Sequence, residues 1–136
     1  MSEPLTQRVV GIGGIFFHAK DPVALRAWYQ KHLGVDVQSW GGTAFPWNHP
    51  AGPGQSGMTV WNIAGEDSKY FAPSTARFMI NYIVHDLDAV LAALRAEGCD
   101  VDPKCEDTEF GKFGWVMDPE GHRIELWQPP APPAAS

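Results

Sequence analysis

The chain has 136 residues, of which 44% are hydrophobic and 19% charged, a balance that builds one folded domain and not a disordered coil. A formal charge of −6 and ten scattered Lys and Arg residues argue against a phosphate-reading nucleic-acid surface. No apolar run is long enough to span a bilayer, and the opening MSEPLTQRVV lacks a basic-then-apolar leader, so a cytoplasmic location without membrane partners is expected.

The first element is an aromatic-rich strand entered from Gly14 and ending at Asp21. Asp21 caps a helix over 22–33, because its carboxylate accepts from free backbone N–H groups of the first turn, and Pro22 sits where a missing N–H costs nothing. Leu25, Trp28, Tyr29 and Leu33 share one face of that helix, and Gly34 stops it. Strand-like pieces follow at 35–40, 43–47 and 58–63, between Gly- and Pro-rich turns. Gly11–Gly14 and Gly52–Gly54 read as turn material, since they lack the strand-loop-helix setting of a phosphate cradle.

Residues 64–77 form a link, and then the pattern starts again. A strand from Met79 ends at Asp86, a helix runs over 87–97 with Leu87, Val90, Leu91 and Leu94 on one face, and Gly98 stops it. Strands follow at 100–102, 113–117 and 122–128, the last two joined by the Asp118-Pro-Glu-Gly121 turn. The two capping aspartates are 65 positions apart and the two stop glycines 64, which is the signature of an internal duplication. The expected fold class is therefore α+β, one domain over 1–128 made of two tandem βαβββ modules, at about 10–63 and 76–128. Side by side, the modules form a curved mixed sheet with helices outside and a cupped ligand face. The Pro/Ala tail, 129–136, is expected to be extended and flexible.

The run from Phe16 to Pro22, the Leu33-Gly34 stop, the segment Val84–Asp88 and the ending Asp118-Pro-Glu-Gly-His-Arg-Ile-Glu-Leu-Trp127 together resemble the glyoxalase/bleomycin-resistance/dioxygenase (vicinal oxygen chelate) superfamily. The resemblance implies a small-molecule partner and a homodimer. It also implies a divalent metal held by four side chains in the cup, whose positions carry over to Gly14, Met79, Glu125 and, in the first module, Trp61. Only Glu125 among these suits a hard or borderline cation, so no intact four-ligand metal site, and no cofactor, is expected. Strand alternation leaves a displaced set, His18, Asn81 and Glu125, as the one alternative for a metal.

Glu125 is the leading candidate for catalysis, because a carboxylate desolvated on an apolar face suits a general base near neutral pH. The competing reading is a structural Glu bound to Arg123, His18 or a backbone N–H. His18 is its candidate partner, with Asn81, Trp61, Met79 and Trp127 expected to contact substrate. Six tryptophans suggest an aromatic-walled pocket for a flat or apolar ligand. Three functions stay open: an enzyme on a small carbonyl-bearing or aromatic metabolite, a sequestering protein of the bleomycin-resistance type, and a metal-dependent lyase or dioxygenase with a displaced site. Cys99 and Cys105 match no redox or zinc spacing.

Overall fold

The computed structural model describes residues 8–47 and 57–130. Its elements run β1 (Val9–Ala19), α1 (Pro22–Leu33), β2 (Gly42–Trp47), β3 (Gly57–Gly65), β4 (Phe78–Val84), α2 (Leu87–Ala96), β5 (Asp100–Val101), β6 (Glu106–Thr108), β7 (Gly111–Met117) and β8 (Arg123–Gln128). The strands form one mixed sheet in the order β2-β3-β1-β4-β8-β7-β5, with β6 on β7. The opening strands of the two modules, β1 and β4, pair antiparallel at its centre. Each then takes the last strand of its own module as a parallel neighbour, β3 beside β1 and β8 beside β4. This is the expected α+β architecture, an open curved sheet with two helices.

Local chemistry sets the helices as expected. Asp21 accepts from the Ala24 N–H at 3.0 Å and Asp86 from the Ala89 N–H at 3.1 Å. Gly34, at φ 69°, closes α1 in the left-handed region that favours glycine. Beyond it, residues 35–40 do not form the expected strand. The Gln38 N–H turns back to the Gly42 carbonyl, while Val35 and Val37 pack down beneath α1. The glycines before Ile15 also depart from expectation, because β1 already begins at Val9 and they lie inside it. The tail beyond Pro130 lies outside the described residues.

Alternation divides the side chains between two faces. On the helix side, Val84, Leu87, Val90, Leu91, Val116 and Leu126 form the core under α2. Ala19, Trp61 and Ile63 form a smaller one under α1, with Phe17, Leu25 and Tyr29 against it. On the concave side, Phe71, Met79 and Trp115 form a third cluster, joined by Phe16 and Phe113. Phe71 comes from the link between the modules, which folds over the concave face.

Candidate functional site

The concave face of the second module is built by β4, β8 and β7. Parallel register sets Asn81 beside Glu125, and antiparallel register sets Trp115 on its other side. Both Glu125 and Asn81 are 2% exposed. Burying a carboxylate without partners is costly, and three donors meet that cost here. Asn81 Nδ2 donates to Oε1 at 2.6 Å, Trp115 Nε1 donates to Oε2 at 3.0 Å, and the Tyr70 hydroxyl donates to Oε2 as well. Asn81 Oδ1 is left buried without a partner.

Tyr70 and Phe71 come from the link, which makes local turns and contains no helix or strand between β3 and β4. Tyr70 leaves about half of its surface in solvent while its hydroxyl reaches inward to the carboxylate. Burial of that end, and then the charge of Glu125, push the phenol well above its ordinary pKa, so it stays protonated. Phe71 is 2% exposed and stacks on His18, with centroids 4.0 Å apart and planes 6° from parallel. The guanidinium of Arg123 lies 4.9 Å over the Trp115 ring and donates from Nη1 to the Ala72 carbonyl, fastening the link to β8. Surface depressions lie beside α1, at His18, Lys20, Trp28 and Arg77, and beside α2, at Leu87, Cys105 and Lys112; Glu125 lines neither.

Asn81, Met79, Glu125 and Trp127 are thus brought to one face. Met79 is the 1% exposed floor beneath Phe71, and Trp127 stacks on Phe113 while its indole N–H goes to the Phe110 carbonyl at 2.7 Å. His18 faces the same side without reaching Glu125. It lies four residues along β1 from Gly14, the partner of Asn81, which is about 13 Å of strand. Burial, and then the nearby charge of Arg77, hold its imidazole below the ordinary value of 6.5, and Nε2 is buried without a protein partner.

Trp61 is placed differently from expectation. In the second module Asn81 aligns with Glu125, and in the first module Phe16, 65 residues before Asn81, aligns with Asn62. Asn62 is therefore the counterpart of Glu125. Trp61 alternates to the helix side, where its ring meets Phe17 at 5.8 Å and Tyr29 at 5.1 Å, so it is core and not cup wall. The bulk beside Gly14 comes from Phe16 instead, since a Cβ on Gly14 would stand 2.5 Å from the end of that ring.

The residues present do not fit a divalent ion. Both Glu125 oxygens face N–H or O–H donors, Asn81 turns its nitrogen toward them, and His18 is held elsewhere against Phe71. Among the described residues no three His, Cys, Asp or Glu side chains gather in a metal-binding group. The displaced set of His18, Asn81 and Glu125 is accordingly not assembled.

Tyr70, Trp115 as a donor, and Asn62 were not singled out by the sequence reasoning. An adjacent Tyr-Phe pair inside the otherwise polar run Glu66-Asp-Ser-Lys was the available signal for the first.

A duplicated βαβββ sheet carrying a polar constellation on its concave face defines a domain of the vicinal-oxygen-chelate class. The family model described as the glyoxalase-like domain matches residues 14–127, and the chain belongs to that family. Among solved structures it is similar to methylmalonyl-CoA epimerase from Streptomyces coelicolor in complex with 2-nitronate-propionyl-CoA. The TM-score is 0.65 at 20% identity, over 90% of this chain and 99% of that one. The epimerase from Mycobacterium tuberculosis gives 0.61 at 19%, over 95% and 94%. A glyoxalase/bleomycin resistance protein/dioxygenase superfamily member from Vibrio splendidus gives 0.53 at 13%, over 86% and 97%. At these identities the likeness establishes the fold. No curated protein matches.

Proposed function

We propose that this chain is an enzyme acting on a small carbonyl-bearing or aromatic metabolite, with Glu125 as the proton acceptor. The observation that carries the reading is a carboxylate 2% exposed at the centre of the concave face, oriented by Asn81 and Trp115 and contacted by the half-exposed Tyr70. Once Tyr70 gives way, Oε2 takes a proton from the carbon beside a substrate carbonyl. The electron pair of that C–H bond moves onto the carbonyl oxygen as an enolate. Return of the proton to either face gives an isomer or epimer. Asn81 spends one amide hydrogen on Glu125 and has a second for the enolate oxygen. Support comes from the epimerase neighbours, whose ligand is a carbonyl-bearing CoA thioester. The homodimer belongs to the same proposal and is tested by solution mass from light scattering.

The test is C–H to C–D exchange in D2O, followed by NMR over a panel of small thioesters, 2-oxo acids and aryl ketones. The expected result is exchange by the wild type that falls by about 100-fold or more in Glu125→Gln, the range of general-base contributions. Exchange unchanged in the variant, or absent across the panel, would overturn the reading. The second reading, sequestration without turnover, is favoured by the full set of donors already on Glu125. It predicts saturable binding with no exchange at all.

A further inference from the structure

The path to Glu125 is occupied by a side chain of the chain itself. Tyr70 runs from solvent to the carboxylate, ring half-exposed and hydroxyl donating to Oε2. Of the three donors on Glu125 among the described residues, Asn81 and Trp115 are held by neighbouring strands, and the Tyr70 hydroxyl is carried by a segment outside the sheet. The concave face beside Glu125 carries rings and a thioether, namely Phe71, Trp115, Phe16 and Met79, and the Tyr70 ring lies edge-on to Phe71.

The segment holding Tyr70 lies outside the strand ladders. Between 66 and 77 its backbone hydrogen bonds are mostly local turns, Ser68 to Gly65, Ala72 to Lys69 and Ser74 to Phe71. Its ties to the sheet are the Glu66 N–H on the Ala19 carbonyl, the Tyr70 hydroxyl, the Phe71 ring, the Arg123 clamp on Ala72 and the Arg77 carbonyl under the His18 N–H. Phe71 anchors the segment, so the opening the site requires is that of the half-exposed Tyr70 side chain, whose tie to the sheet is its hydroxyl.

We propose that Tyr70 is an internal stand-in for the ligand, and that the molecules which replace it are neutral flat rings bearing a free hydroxyl, phenols above all. The incoming O–H donates to Glu125 Oε2 as Tyr70 does, and the ring takes the place of the Tyr70 ring, next to Phe71. An anionic ring is rejected, because it would set a further negative charge against Glu125 and near Glu106, while Arg123 is turned onto the Ala72 carbonyl and the Trp115 ring. The proposal rests on Glu125 being the working group of the site, but it needs no turnover.

The experiment is calorimetric titration of the full chain with p-cresol, and with toluene and 4-methylanisole, which keep the ring and lose the donor. In Tyr70→Ala, p-cresol is expected to bind at least about tenfold more tightly than to wild type, and at least about tenfold more tightly than either control, in line with a hydrogen bond to a charged group. Tyr70→Phe keeps the ring in the path and removes only its anchor, so it should fall between wild type and Tyr70→Ala. It carries the test if Tyr70→Ala does not fold. Equal affinity for p-cresol and toluene, or p-cresol affinity that no Tyr70 variant improves, overturns the proposal. Loss of Glu125-dependent exchange with this discrimination intact would remove the catalytic reading and leave the ligand class standing.

Discussion

The two modules share a plan and differ in how completely they are filled. In the second, α2 buries Leu87, Val90 and Leu91 against the sheet, and the concave side is sealed by Phe71 over Met79 and Trp115. In the first, α1 buries no residue fully, and Val23, Trp28 and Leu33 stand exposed along it. The corresponding concave positions there are Gly14, Phe16 and Asn62 where the second module has Met79, Asn81 and Glu125. Duplication supplies two equivalent frames, and substitution has put the packing and the buried charge into one of them. Stability and the candidate chemistry should therefore both depend more steeply on the second module.

The largest effect should come from the helix cores. Leu91→Ala removes a side chain that is 2% exposed and should cost about 2–5 kcal/mol, whereas Leu33→Ala on α1 should stay within about 0.5 kcal/mol. Urea denaturation of the two variants reads the difference, and equal losses would break the comparison. At the helix caps the modules should instead match. Asp21→Ala and Asp86→Ala each remove one carboxylate accepting from the third residue beyond it, and each should cost about 1 kcal/mol by the same measurement.

The smallest effect belongs to His18, whose place in the second module is taken by the non-titrating Ile83. Its folded pKa lies below the ordinary 6.5, so as pH falls the unfolded chain takes up the proton first. Its contribution is complete above the unfolded value and declines as pH drops through that value toward the folded one. Thermal melts between about pH 7.5 and pH 5 should therefore fall less steeply in His18→Gln than in wild type. Parallel slopes would remove His18 from the pH response.

Much of the frame is legible along the chain because it is written in local chemistry. Asp21 and Asp86 cap, Gly34 and Gly98 stop, and apolar residues recur with the period of a helix face. Glu125 was legible too, as a carboxylate alternating with Ile124 and Leu126 on a strand. Trp61 was misplaced by one residue, because unequal hairpins hide the register, and one residue turns a side chain to the opposite face. The pairing of Glu125 with His18 failed for a related reason. Alternation gives the face, but distance along the strand decides reach.

The sequence by itself determined the duplicated modules, their helices, the α+β class and Glu125 as a carboxylate of the concave face, all consequences of short-range pattern. Only the tertiary structure decided that Tyr70 donates to Glu125 across 55 positions, and that Phe71 lies between His18 and the floor of the cup. Nothing local draws a polar link onto a sheet. What holds it there is a buried carboxylate in need of donors and an apolar floor in need of cover, and both exist only once β4, β8 and β7 have paired into one sheet.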